Sequence, residues 1–128
     1  MSESKKTLHM GKYFPYNEQS ILDNVNDEDI GNYALGSMNG ETFVIRYVGR
    51  TDEQSVRERL LQHLNRDEWP DCTCFKFTYA SSAQEAYELE CRNYHDFGEP
   101  DGKLHNKNHP AKPENMRYLS CPMIGCDK

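Results

Sequence analysis

Apolar positions along the chain change their period several times, and each change marks an element. Asn32-Tyr33-Ala34-Leu35 and the run from Thr42 to Val48 are rich in β-branched and aromatic residues. They flank Asn39-Gly40, a strong signal for a tight hairpin. Val56, Leu60 and Leu64 then recur at i, i+4 and i+8, a helical stripe that predicts a helix over 53–66, with Thr51-x-x-Gln54 as a capping box ahead of it. After Trp69-Pro70, the segment Cys74-Phe75-Lys76-Phe77-Thr78-Tyr79 alternates with period two. It predicts a third strand with Phe75, Phe77 and Tyr79 on one face. Ser82-x-x-Glu85 is a second capping box, opening a helix over 83–97, and from Gly98 onward loop-forming residues dominate. The order β-β-α-β-α predicts an α+β fold, a small three-stranded antiparallel sheet flanked by helices. Residues 31–110 form this domain, and 111–128 a tail packed on it. Residues 1–30 read as an N-terminal extension, extended at Phe14-Pro15-Tyr16, with Ile21, Leu22 and Val25 suited to one helical turn against the domain.

Length and composition narrow the classes. A chain of 128 residues, 36% apolar and 28% charged, suits one domain with its own core and excludes collagen-like and low-complexity classes. Apolar runs such as Thr42-Phe43-Val44-Ile45 fall far short of the about 20 residues a membrane span needs. The opening Met1-Ser2-Glu3-Ser4-Lys5-Lys6 has no apolar stretch behind it, so a cytoplasmic protein without a membrane partner is expected. The net charge of −6, with no strongly basic segment, argues against tight non-specific binding to nucleic-acid backbones. Arg46, Arg50, Arg57, Arg59 and Arg66 lie close together in sequence and leave room for a local basic groove. The 5 cysteines are an odd number, which points to reduced thiols. Cys72-x-Cys74 and Cys121-x4-Cys126 are two close pairs, but the first is shorter than a usual zinc knuckle, so ordinary half-buried thiols are the better account of them.

Three features carry candidate chemistry. Advancing about 100° per residue from Ala86, Glu90 lands about 40° away, inside the apolar stripe of Leu89, Asn93 and Phe97, whereas Glu88 lands about 200° away and faces solvent. A carboxylate on a buried face either reaches out to solvent or to an arginine, or serves as a metal ligand or general base. Arg59 and His63, four residues apart, share one helix face beside the core stripe. Tyr33 and Tyr47 stand in adjacent strands.

Taken in order, Gly31-Asn32-Tyr33, Tyr47-Val48-Gly49, Arg59-x3-His63, Glu90 and an Asn ahead of His109-Pro110 resemble the GIY-YIG nuclease family over Gly31 to Pro110. Asn32 stands in the usual aliphatic place, the tyrosine spacing is longer than the family's common one, and the final Asn is either Asn106 or Asn108. The resemblance implies a metal-dependent endonuclease acting on DNA. Glu90 would hold Mg²⁺ (or Mn²⁺), and Tyr33 would serve as general base or position the attacking water, with His63 as proton relay. Arg59 would clamp the scissile phosphate, Tyr47 would hydrogen-bond in the same pocket, and Asn106 would orient the loop or substrate backbone. The alternative is a binding or scaffold module of the same fold whose nuclease activity is weak or lost.

Hairpin register tests this reading, because side chains alternate between sheet faces. A two-residue Asn39-Gly40 loop sets Tyr33 opposite Arg46 and turns Tyr47 to the other face. A three-residue loop sets Tyr33 opposite Tyr47, with Leu35 opposite Ile45 and Phe43 on the same face. A shared pocket requires the second arrangement, or a bulge that restores its parity.

Overall fold

The computed structural model describes residues 10–67, 69–98, 104, 109–123 and 126. Its elements run β1 (Phe14–Pro15), α1 (Glu18–Asn24), β2 (Gly31–Asn39), β3 (Thr42–Arg50), α2 (Val56–Arg66), β4 (Cys74–Tyr79) and α3 (Ala83–Gly98). The fold is α+β, as expected, but the antiparallel sheet has four strands in the order β1-β4-β2-β3, not three. The added strand comes from the segment read as an extension. Pro15 has no N–H to donate, which suits an edge strand, and β1 pairs only with β4, Phe14 opposite Phe75. The following α1 starts at Asn17, whose side chain accepts from Ser20 N–H, and buries Ile21 and Val25 completely, while Leu22 stays exposed. This segment therefore belongs to the core.

Helices cover both sheet faces. On one, Tyr33, Leu35 and Phe75 pack with Ile21, Val25, Val56 and Leu60 from α1 and α2. On the other, Ala34 and Val48 pack with Phe43, Ile45 and the α3 residues Tyr94 and Phe97. Arg57 locks α2 to α1 by donating to the carbonyls of Leu22 and Val25 at the α1 C-terminus. The cap of α2 is Ser55, accepting from Glu58 N–H, and not the anticipated Thr51. Thr51 instead extends the β2–β3 ladder, its N–H donating to Gly31 and its hydroxyl accepting from Gly31 N–H. The box at α3 forms as expected: Ser82 accepts from Glu85 N–H, and Glu85 accepts from Ser81 N–H.

The hairpin resolves its register with a bulge. The turn residues are Gly40 and Glu41, flanked by the pair Asn39–Thr42, and Gly40 takes φ +66°, the sign a II′ turn needs at its first position. That turn alone would set Tyr33 opposite Val48. The register shifts between Leu35 and Gly36, so that Arg46 is left over, Tyr47 pairs with Leu35, and Tyr33 pairs with Gly49. Tyr33 and Tyr47 thus share a face diagonally, not directly opposite each other. Ile45 and Phe43 are left on the α3 side.

A second flank of α3 is covered by the tail. Tyr87 and Cys91 are wholly buried against Leu119 and Cys121, with Met116 and Met123 beside them. Among the described residues, no helix is long and apolar enough to cross a membrane.

Candidate functional site

The bulge brings Tyr33 to the α2 side, and α2 presents His63 to meet it. The Tyr33 hydroxyl lies 2.8 Å from His63 Nε2, and the Tyr47 ring meets the same imidazole edge-on at 5.5 Å between centroids. Gly49 makes this packing possible, because a Cβ there would overlap the end of the Tyr33 ring. Burial pushes the Tyr33 phenol well above its usual range, with Tyr47 and Glu90 adding to the rise and Arg59 opposing it. Tyr33 is therefore a phenol at neutral pH, not a ready-made phenolate base. It can donate to a His63 whose lone pair is on Nε2.

Glu90 reaches the site from the opposite sheet face. It is 8% exposed, and its Oε1 accepts from Arg50 at 2.6 Å. Of the alternatives open for a carboxylate on that stripe, the arginine partner is the one formed. Burial raises the Glu90 carboxyl and Arg50 pulls it back down. Arg50 also clasps Asp52 through Nε and Nη2, lies over the Tyr87 ring at 5.2 Å, and donates to the tail carbonyl of Ala111. Burial works against its charge, but Asp52 and Glu90 outweigh that. Glu88, expected to face solvent, is half-buried and accepts from Gln84.

A groove of about 680 Å³ runs past this cluster, lined by Arg50, Asp52 and Arg59 on one side and by Pro113, Glu114 and Met116 of the tail on the other. Arg59 is the link between groove and interior: it lines the groove, donates to Gln62 and acts electrostatically on the Tyr33 hydroxyl. Tyr33 and His63, at 1% and 3% exposure, sit behind it.

Of the six candidate residues, Tyr33, Tyr47 and His63 meet in one cluster with Arg59 beside it, Glu90 stands on the other sheet face and reaches Tyr33 only electrostatically, and Asn106 lies outside the described residues. In the sequence Arg50 stands out only as one of five neighbouring arginines, and Trp69 only beside a proline after a helix. Trp69 stacks on Tyr47 at 5.0 Å and closes the aromatic side of the cluster. Its only signal was a large aromatic beside a helix end. Arg50 directly follows Gly49, but nothing in that adjacency names Glu90 as its partner. Asn32, in the aliphatic place of the first motif, is fully buried and donates to the Ala86 carbonyl, tying β2 to α3.

The two cysteine pairs do not meet in one place. Cys72 packs in the α1–α2 core, where burial and Asp71 push its thiol up to about 12, whereas Cys121 and Cys126 lie against α3.

No family model matches the chain, and no curated protein or solved structure matches it either. The likeness to GIY-YIG nucleases rests on the motif residues and their arrangement alone.

Proposed function

We propose that the chain is a phosphodiester hydrolase acting on DNA, with a GIY-YIG-type site built on Tyr33, Tyr47, Arg59, His63 and Glu90. The observation that carries this reading is the Tyr33 hydroxyl held 2.8 Å from His63 Nε2, with the Arg59 guanidinium near enough to act on the phenol electrostatically. Hydrolysis of a phosphodiester needs a water relieved of its proton and a counter to the charge that builds on the phosphoryl oxygens. Tyr33 takes the proton of the attacking water as it gives its own to His63 Nε2, so the phenol stays protonated and His63 is the final acceptor. Arg59 faces the groove, where its guanidinium meets a phosphate in two-pronged fashion. Tyr47 and Trp69 wall the imidazole in and fix its plane.

Glu90 suits Mg²⁺ or Mn²⁺ by donor type, since such ions bind through one or two carboxylates, waters and substrate phosphate. When bound, the ion supplies Lewis-acid polarisation of a phosphoryl oxygen. Arg50 holds one oxygen of the same carboxylate, so a cation must share Glu90 with a guanidinium. That ion pair, with the burial of Tyr33, favours the second reading: a binding or scaffold module of this fold, here one that holds DNA, with weak or lost cleavage.

The deciding experiment incubates the full chain with plasmid and branched DNA in Mg²⁺, in Mn²⁺ and in EDTA. Cleavage that EDTA stops, and that a folded Glu90→Gln variant lacks, is the expected result. DNA binding without cleavage selects the second reading. Neither binding nor cleavage ends both.

A further inference from the structure

Away from the Tyr33 cluster, the last turns of α3 and the tail bring together two imidazoles and two thiols: His95, His109, Cys121 and Cys126, whose ligand atoms all lie within 4.8 Å of one another. The geometry points to a tetrahedral Cys₂His₂ zinc site that fastens the tail to α3. It is independent of the proposed nuclease chemistry.

Distances come first. Zn–N near 2.0 Å and Zn–S near 2.3 Å place tetrahedral ligand atoms about 3.3–3.8 Å apart, so the widest separation has to close by only about 1 Å. One pair already fits: His109 Nε2 and Cys126 Sγ are 3.4 Å apart. The donor set decides the metal. Two thiols and two imidazoles without a carboxylate select zinc over the hard, oxygen-seeking Mg²⁺ or Ca²⁺.

The surroundings hold the ligands as metal ligands are held. His109 Nδ1 lies 3.0 Å from the Pro110 carbonyl, which as acceptor puts the proton on Nδ1 and leaves the Nε2 lone pair directed at Cys126. Cys126 N–H donates to the Met123 carbonyl at 3.2 Å, which holds Cys126 close to the segment that carries Cys121. Cys91, fully buried one helical turn before His95, contacts Cys121 from behind. The rings of Tyr94, His95 and His109 pack edge to face at 5.3–5.6 Å between centroids, sealing the other side.

The placement gives such a site a task. Between His109 and Cys121 run Pro113, Glu114 and Met116, the tail wall of the groove that Arg50 and Arg59 line, and the Ala111 carbonyl that Arg50 holds. This stretch has no helix or strand of its own. A metal at its two ends removes the loop entropy that would otherwise free it, so zinc sets the shape of that wall.

The test uses the full chain, expressed with zinc in the medium and purified without chelator. Elemental analysis should give about one zinc per chain, and replacement by Co²⁺ should give the intense visible bands of tetrahedral thiolate coordination. The metal should be lost in the Cys121→Ser/Cys126→Ser variant and kept in Cys72→Ser/Cys74→Ser. Chelation should lower the wild-type melting temperature by about 5 °C or more, reversibly on adding zinc. Wild-type protein with under about a tenth of a zinc per chain and no Co²⁺ bands overturns the proposal. So does zinc that leaves with Cys72 and Cys74 but stays without Cys121 and Cys126. If the serine variants do not fold, the wild-type zinc content and Co²⁺ spectrum decide.

Discussion

The Tyr33 cluster and the His95 cluster are both gatherings of polar side chains around an imidazole, yet they are held in different ways. Tyr33, Tyr47 and His63 stand on two strands and a helix, and their positions follow from sheet register, one bulge and the pitch of α2. His95, Cys121 and Cys126 join a helix end to an irregular tail, with His109 arriving from the loop between. Regular elements supply their own backbone hydrogen bonds, so they can hold a buried phenol and imidazole 2.8 Å apart without outside help. The tail has no such ladder among its described residues: it is held by Met116 and Leu119 packed on Tyr87 and Cys91, and the proposed zinc would add a cross-link to that packing. The Arg50–Glu90 pair lies between the two, tied to the strand end by Arg50 and to the tail through Ala111.

The first way to break the comparison is to remove the strand-held imidazole. His63→Ala should lower DNA cleavage by about 10²–10⁴-fold, the span of a general acid–base residue, with the protein still folded by circular dichroism. Cleavage at the wild-type rate would show that the Tyr33–His63 pair is structural only.

Next in size is Arg50→Met, which severs the link between the clusters. Removing one partner of a buried pair leaves Glu90 uncompensated and should cost about 3 kcal/mol near pH 7.5 in urea denaturation. The pH dependence has a definite sign. Burial already raises the Glu90 carboxyl in the folded state, and without Arg50 it rises further. Such a group contributes its full stability below the unfolded value of about 4.3 and loses it as pH rises through the folded value. The deficit of the variant relative to wild type should therefore grow from pH 4.5 to pH 7.5. A deficit that is constant or shrinks over that range would remove Glu90 as the cause.

Gly49→Ala tests how rigid the strand-held cluster is. Its Cβ must displace a Tyr33 ring that is buried and tied to His63, an overpacking that should cost about 2 kcal/mol. A neutral result would mean the ring moves freely, and the site is softer than its burial implies. The smallest effect is expected at Glu88, which points away from Glu90 on the far side of α3. Glu88→Ala should stay within about 0.5 kcal/mol in stability and leave cleavage unchanged.

Much of the strand-held region was legible because its signals are periodic. The stripe of Val56 and Leu60 and the alternation of Phe75 and Phe77 placed α2 and β4, and a wheel placed Glu90 on the covered side of α3. The parity argument on Tyr33 and Tyr47 required an odd loop or a bulge, and the chain uses a bulge. The edge strand escaped notice because Phe14–Pro15 is two residues long and carries no period. Arg50 escaped because its partners Asp52, Glu90 and Ala111 come from three separate parts of the chain.

By itself, then, the sequence determined whatever repeats at short range: the order of β2, β3, α2, β4 and α3, the helix faces, and the parity that a meeting of Tyr33 and Tyr47 demands. The tertiary structure decided which residue is left over at Arg46, which cation faces Glu90, and that His95 and His109 meet Cys121 and Cys126 while Cys72 packs in the α1–α2 core. Those choices are made by contacts between residues far apart in the chain. Their closure entropy and packing have no local signature to read.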